Sequence, residues 1–137
     1  MSICLSKNGP VSLTKGGPSV SLIKEDNTHL TRFFVGLGWD PAAGGASIDL
    51  DASVILTNDG AQVIDSVWYS HLSAPGVTHS GDNLTGDGAG DDEVIDIDLT
   101  TLPVGCTRLI ITINSFSGQS FNQIKNAYCR LFDGTQE

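Results

Sequence analysis

Apolar and polar residues alternate with a period of two along much of this chain, which is typical of half-buried β-strands. The clearest example is the stretch 93–99, where Ile95 and Ile97 face one way and Asp96 and Asp98 face the other. The same pattern, enriched in Val, Ile, Phe and Tyr, predicts five more strands. These lie at residues 31–39, 48–57, 62–72, 108–113 and 127–132.

Turn signals separate these strands, and helical patterns are nearly absent. The run from Asn58 to Gly60 predicts a hairpin turn, because Asp-Gly tolerates positive φ. Two Gly-Pro pairs punctuate short repeats in the first third of the chain and predict short strands there. Only residues 119–126 are a candidate for a helical turn. The pattern therefore predicts an all-β fold, a two-sheet antiparallel β-sandwich that forms one domain over residues 1–137.

Composition agrees with this fold class and limits the partners. The chain has 137 residues, a net charge of −9 and 39% hydrophobic residues. So negative a surface repels nucleic acid and anionic membranes, and neither is expected as a partner. The three cysteines form no metal-ligand pattern, which favours a reducing compartment. With no signal peptide or membrane span predicted, we expect a cytoplasmic protein without direct membrane insertion.

The segment 81–93 carries the strongest chemical signal. It holds five acids and four glycines, with no lysine or arginine. Carboxylates this close repel one another unless solvent separates them or a cation binds them. Glycines let the backbone curl and turn its carbonyl oxygens inward. Because calcium takes about six to eight oxygen ligands, the segment predicts a calcium site, and the alternative is a solvated acidic loop.

Two further acidic segments are expected to converge on this one at strand ends. Asp49 and Asp51 are two residues apart, so both point the same way, about 6.5–7 Å apart along the strand. Asp40 ends the preceding strand. We therefore predict acidic calcium-binding loops at one end of the sandwich. The predicted side-chain ligands are Asp40, Asp49, Asp51, Asp82, Asn83, Asp91, Asp92 and Glu93, and the predicted carbonyl ligands are those of Leu84, Gly86 and Gly88.

Other kinds of binding site fit this segment less well. An EF-hand is disfavoured because Leu84 occupies a ligand position and Asp87 replaces the obligatory glycine. A phosphate cradle is disfavoured because the glycines precede a strand, so there is no helix N-terminus to hold the anion. Zinc is disfavoured because the cluster offers only oxygen.

Catalysis has weak support in the sequence. His79 and Ser80 lie close to Asp82, but no nucleophile-elbow sequence surrounds the serine. The paired carboxylates could serve glycoside hydrolysis, but no stretch of aromatic sugar platforms accompanies them. Each histidine is expected on the surface or hydrogen-bonded in a loop. We therefore expect a binding protein and not an enzyme.

Several motifs, in order along nearly the whole chain, resemble the TerD family of tellurium-resistance and general-stress proteins. They are Val11-Ser12-Leu13-Thr14-Lys15, Val35-Gly36-Leu37-Gly38-Trp39-Asp40, Asp49-Leu50-Asp51-Ala52-Ser53, the stretch 81–93, and Ser120-Phe121-Asn122-Gln123-Ile124-Lys125-Asn126-Ala127. The resemblance implies a calcium-binding β-sandwich that holds two Ca²⁺ ions in the acidic segments. It also implies a role in resistance to tellurite and other stresses, in complexes at or near the cytoplasmic face of the membrane.

The chain departs from the family pattern at two points. Asp87 stands where a glutamate is usual, and the family's domains continue beyond the strand that ends near Phe132. An early end predicts an open sheet edge, through which the chain would self-associate or dock a protein partner.

Three functions follow from the residues and the resemblance. The leading hypothesis is a calcium-binding, TerD-like interaction module associated with tellurite or stress resistance. The alternative is a structural assembly subunit, for example phage-borne, in which the ion only stabilises the fold. The third is a metal-dependent hydrolase of phosphorylated or glycosidic substrates.

Overall fold

The computed structural model describes residues 28–41 and 48–134, together with the backbone of two short strands nearer the start of the chain. The strands are β1 (Ile3–Cys4), β2 (Val20–Ser21), β3 (Arg32–Gly38), β4 (Leu50–Thr57), β5 (Val63–Val67), β6 (Ser73–Ala74), β7 (Val77–His79), β8 (Glu93–Asp98), β9 (Arg108–Ser115) and β10 (Tyr128–Phe132). A 3-10 helix, Phe121–Gln123, lies between β9 and β10, inside the predicted helical turn.

Two antiparallel sheets pack against each other. The larger has the strand order β10-β3-β8-β7-β6, and the smaller has the order β5-β4-β9. The pairings in both sheets are antiparallel, whereas β1 and β2 form a separate parallel pair. The predicted all-β, two-sheet antiparallel fold is therefore confirmed in the described part of the chain.

Inward-facing side chains of both sheets form one apolar core, because alternate residues of a strand share a face. The buried apolar residues are Leu30, Phe33, Val35, Leu37, Trp39, Ile48, Leu50, Ala52, Val54, Leu56, Val67, Val77, Ile95, Ile97 and Ile124. In β8 the predicted alternation is present, with Ile95 and Ile97 buried and Asp96 on the opposite face. The same alternation places Glu93, with a fully buried side chain, on the core face.

The region 62–79 differs most from the prediction. The predicted strand 62–72 ends at Val67, and Trp68 and His71 then pair across a tight turn through N–O distances of 3.0 and 2.8 Å. The chain returns as β6 and β7, which join the larger sheet. Tyr69 and Ser70 occupy the turn, and neither Gly nor Pro marks it in the sequence.

The turn after β4 lies where it was predicted, for a different reason. Ala61 N donates to Asn58 O (3.0 Å), and Ala61, with φ 59°, is the residue in the left-handed region. Asn58 Oδ1 accepts a hydrogen bond from Gln62 N at 2.9 Å. The Asn58 side chain therefore stabilises this turn, without a left-handed Gly60.

The remaining expectations divide by location. The predicted strands 31–39, 48–57, 93–99, 108–113 and 127–132 are confirmed, with small shifts at their ends. The repeats predicted in the first third lie outside the described residues, except for the backbone of β1 and β2. In residues 28–41 and 48–134, no helix has the length and apolar character needed to cross a membrane.

Candidate cation site

Three carboxylates converge at the N-terminal end of β4. Asp49 precedes the strand, Asp51 lies within it, and Asp82 belongs to the segment 80–92 between β7 and β8, called here the acidic loop. One carboxylate oxygen of each lies within 4.8 Å of the others. Asp49 and Asp51 are 8% and 3% exposed, whereas Asp82 is exposed. This cation cluster, Asp49, Asp51 and Asp82, is therefore buried on the β4 side and open to solvent at Asp82.

β9 and the residues that follow it hold Asp49 and Asp51 in place. Asn114, opposite Asp51 in the ladder, donates from Nδ2 to Asp51 Oδ2 at 3.0 Å. Asp49 N donates to Ser117 Oγ (3.1 Å), and Phe116 N donates to Asp49 O (2.9 Å). The cluster is thus built on strand backbone, which gives it a rigid base.

One oxygen of the cluster has no hydrogen-bond partner in the part of the chain that the structure describes. Asp49 Oδ1 is buried, and no hydrogen bond to it is found among the described residues. A buried carboxylate oxygen left unsatisfied costs free energy, so most such atoms in proteins are paired. An unpaired oxygen within an all-oxygen cluster matches the ligand preference of a hard cation such as calcium.

Burial first, and repulsion between neighbouring carboxylates second, raise the pKa of the two buried acids of the cluster. Burial, followed by the charges of Asp49, Glu93 and Asp82, raises the pKa of Asp51 to about 6. Burial, followed by the charges of Asp82 and Glu93, also raises the pKa of Asp49. A positive ion among these groups would reverse the effect, because an opposite charge favours the ionised form.

Glu93 and His79 hold the backbone next to the cluster. β5 stops pairing with β4 at Val54, which leaves the polar backbone groups of Ala52 without a strand partner on that side. Ala52 N donates to Glu93 Oε2 (2.8 Å), and His79 Nε2 lies 3.2 Å from Ala52 O. Asn83 N donates to Glu93 Oε1 at 3.3 Å. Glu93 therefore connects β4 to the acidic loop.

His79 ends β7 and is buried, so the expectation of a surface or loop histidine is wrong here. Its Nδ1 accepts a hydrogen bond from Gly81 N at 3.0 Å, so the proton of the neutral ring lies on Nε2. His79 Nε2 is also 3.4 Å from Glu93 Oε2. No sequence signal pointed to His79 as a support for the acidic loop.

Asn83 organises the start of the acidic loop. Its Oδ1 accepts hydrogen bonds from Thr85 N (3.1 Å) and Gly86 N (3.0 Å), in the manner of an Asx turn. Its Nδ2 donates to Asp92 Oδ1 at 3.3 Å. The side chain of this predicted ligand therefore ties the two ends of the loop together.

Trp39 joins all three acidic segments. Trp39 N donates to Asp92 Oδ2 (2.9 Å), and Trp39 Nε1 donates to Ile48 O (3.0 Å). Gly86 lies against the indole so closely that a Cβ there would be 2.4 Å from Nε1. The convergence of these segments matches the prediction, and the buried Trp39 is its centre.

Four other predicted ligands are not among the carboxylates of the cation cluster. Asp40 is exposed and accepts a hydrogen bond from Asn126 Nδ2 at 2.6 Å. Asp91 pairs with Arg130 on the outer face of the larger sheet. Leu84 is 56% exposed, and a Cβ on Gly88 would meet nothing within 4 Å. Whether these residues bind an ion stays a prediction.

Three aromatic rings contact one another in a row that ends at Phe116, the residue opposite Asp49, although the sequence pattern lacked an aromatic platform. Trp68 and Tyr69 pack edge to face at 4.7 Å, and Tyr69 and Phe116 do so at 6.0 Å. Phe116, 66% exposed, bonds through its backbone to Asp49, and opposite residues of an antiparallel pair share a face. We call Trp68, Tyr69 and Phe116 the aromatic rim.

Comparison with known proteins places the chain in a family. The model of the TerD domain matches residues 1–137. Tellurium resistance protein TerZ of Serratia marcescens is 46% identical over 137 residues, which cover 91% of this chain and 70% of TerZ. Stress response protein SCP2 of Bacillus subtilis (strain 168) is 37% identical over 153 residues, which cover 97% of this chain and 72% of SCP2.

A solved structure shares the fold. The crystal structure of a homologue of telluride resistance protein (TerD) from Streptomyces coelicolor A3(2) matches with a TM-score of 0.68 at 22% identity. The match covers 77% of this chain and 68% of the solved chain. Taken with the domain match and the sequence identities, these findings show that the chain belongs to the TerD family.

Proposed function

We propose that this chain is a calcium-binding interaction module that acts in tellurite or stress resistance. The observation that carries the proposal is the buried Oδ1 of Asp49, which has no hydrogen-bond partner among the described residues and lies in a cluster with Asp51 and Asp82. The all-oxygen donor set and its burial fit Ca²⁺ better than Zn²⁺. The stress role is supported by the names of relatives, which include tellurium resistance and stress response proteins.

In this proposal Asp49, Asp51 and Asp82 hold one ion, which supplies the positive charge that joins the acidic loop to β4. A second ion would belong to the remaining part of the acidic loop, with the carbonyls of Leu84, Gly86 and Gly88 as ligands. The role of calcium is structural. It neutralises repelling carboxylates and orders the loop into one surface.

The surface so formed is proposed to bind a protein partner and not to carry out catalysis. The aromatic rim supports this, since Phe116 is 66% and Trp68 37% exposed, and Phe116 is hydrogen-bonded through its backbone to Asp49 of the cation cluster. Exposed aromatic residues next to polar groups are enriched in protein interfaces. The free thiols of Cys106 and Cys129 agree with a cytoplasmic location.

Calorimetric titration of the metal-free protein with calcium tests the proposal. We expect saturable binding with one or two sites and much weaker binding of magnesium, which demands tighter octahedral geometry. Asp59→Asn, in the exposed turn after β4, is the control and should bind calcium as the wild type does. Absence of calcium binding at millimolar concentration would refute the proposed function.

A structural assembly subunit is the second candidate, and the open side of the sandwich favours it. β9 and β10 are edge strands of the described sheets. Between them lie two cavities of about 470 and 430 Å³, the first lined by Leu109 and Leu131 and the second by Ile113 and Cys129, among others. Apolar openings beside unpaired strand edges are sites where other chains add.

Light scattering across a wide range of concentration tests this candidate. Concentration-dependent self-association that persists in a calcium chelator would support assembly through the β9–β10 side. A monomer at all concentrations, with the β10 amides protected from hydrogen exchange, would contradict it.

A further inference from the structure

Asp91, predicted as a calcium ligand, is held by β10. Arg130 Nε lies 2.9 and 3.1 Å from the two carboxylate oxygens, and Arg130 Nη2 donates to Asp91 Oδ2 at 2.7 Å. Tyr128 donates its hydroxyl proton to Asp91 Oδ1 at 3.0 Å. The Asp91 side chain is only 6% exposed and that of Arg130 22% exposed. A bidentate pair this well covered is stronger and more directional than an ordinary surface salt bridge.

Two glycines of β3 make room for these side chains. A Cβ on Gly36 would lie 2.4 Å from Asp91 Oδ2, and a Cβ on Gly38 would lie 2.5 Å from the Tyr128 hydroxyl oxygen. Residues two apart in a strand share a face, so both glycines clear the same outer face of the larger sheet. The Gly-x-Gly spacing of β3 thus serves close packing against Asp91 and Tyr128.

Asp91 is the first of three consecutive acids that anchor the acidic loop to different elements. Asp92 N donates to Leu37 O (2.8 Å), and Asp92 Oδ2 accepts from Trp39 N. Glu93 Oε2 accepts from Ala52 N of β4. The loop that leaves this anchored end carries Asp82 at its other end. Its path is therefore set by attachments to β10, β3 and β4.

We propose that Asp91, Arg130 and Tyr128 form a latch that fixes the acidic loop, and that β10 thereby positions the cation site. This inference rests on the proposed calcium function. Arg130 and Tyr128 act as positioning residues and contact no ion. The guanidinium also neutralises one acid of the loop, so the loop is ordered in part before any cation binds.

The decisive variant is Arg130→Gln, measured for calcium affinity by titration and for loop order by hydrogen exchange. Removing supports of a metal site commonly costs about 10- to 100-fold in affinity, and we expect at least the lower figure. In metal-free protein we expect faster exchange of the Asp92 and Trp39 amides. Gly36→Ala, whose Cβ displaces Asp91, should have the same effects. The double variant should bind no more weakly than the weaker single variant, because both break one latch.

Arg32→Gln is the matched control. Arg32 pairs with Asp96 on the same outer face of the same sheet, and like Arg130 it lies over a phenylalanine ring. Asp96, however, lies inside β8 and not in the acidic loop. This variant should leave calcium affinity within about twofold of wild type, as expected for an exposed ion pair.

The two readouts separate the latch from the proposed function. If wild-type protein binds no calcium, the proposed function fails, and hydrogen exchange alone judges the latch: faster loop exchange in Arg130→Gln supports it and unchanged exchange overturns it. If wild-type protein binds calcium and Arg130→Gln binds it equally well, the inference is overturned. Equal losses of affinity in Arg130→Gln and Arg32→Gln would also overturn it.

Discussion

At the scale of single residues, the burial of Asp51 makes the free energy of unfolding depend on pH. Its pKa is raised from 3.8 to about 6, with burial as the main cause. Between these values the folded protein holds a proton that the unfolded chain has released. The free energy of unfolding of the metal-free protein should therefore fall as pH rises from about 4 to about 6, by at most about 3 kcal/mol from this group.

Chemical denaturation of metal-free protein at several pH values measures this slope. Burial also raises the pKa values of Asp49 and Asp92. Both groups therefore lower the free energy of unfolding as pH rises, in the same direction as Asp51. Asp51→Asn should show a shallower loss of stability over the same range. An identical slope in the variant and the wild type would contradict the assignment to Asp51.

A second prediction at this scale concerns Asp51→Asn at neutral pH. The change removes one charge at nearly constant volume, so repulsion in the cluster falls and the metal-free protein should gain stability, about 1 kcal/mol or more. Calcium affinity should fall, because a charged ligand is lost. Titration and thermal unfolding check the two effects, with Asp59→Asn as control. If the variant is less stable than the wild type without calcium, contacts of the charged Asp51 with the protein outweigh the repulsion in the cluster, and the prediction is wrong.

At the scale of elements, the acidic loop depends on its packing against Trp39. Gly86 has φ +67° and lies on the indole, whereas Gly88 has φ +142° and open space where a Cβ would point. Both glycines occupy backbone conformations that other residues adopt at a cost. Only Gly86 also makes a close approach to a neighbour.

Gly86→Ala should therefore destabilise the protein more than Gly88→Ala. The difference should be about 1–3 kcal/mol, the usual cost of forcing extra atoms into a packed site. Denaturant unfolding of both variants measures it. Equal losses would show that backbone strain, and not contact with Trp39, sets the cost at Gly86.

At the scale of the whole molecule, calcium binding and folding should be linked. A ligand at one hundred times its dissociation constant adds about 2.7 kcal/mol to stability, if it binds only the folded state. For a domain of 137 residues this is a rise in melting temperature of roughly 5–13 °C per site. Magnesium should give a smaller rise. Melting curves with calcium, magnesium and chelator that coincide would rule out this linkage.

The alternation of apolar and polar residues by itself determined the fold class and most strands. In β8 the same alternation places Glu93 on the buried face, together with Ile95 and Ile97. Period two is a local property of extended backbone, so it can be read without knowing the neighbours. The turn from Trp68 to His71, which ends the predicted strand early, was missed because it contains neither Gly nor Pro.

Only the tertiary structure decided which acids share one site. From the sequence, Asp91 and Asp82 were equally good candidates for a calcium ligand. In the structure, Asp91 pairs with Arg130 of β10, which lies 39 residues further along the chain. Asp82 instead meets Asp49 and Asp51 at β4, and Phe116, which follows β9, donates its backbone N–H to Asp49 O. The composition gives the number of carboxylates, which exceeds the number of basic side chains that could pair with them. Which partner each one has depends on strand pairings between distant segments, and these form only when the sheets assemble.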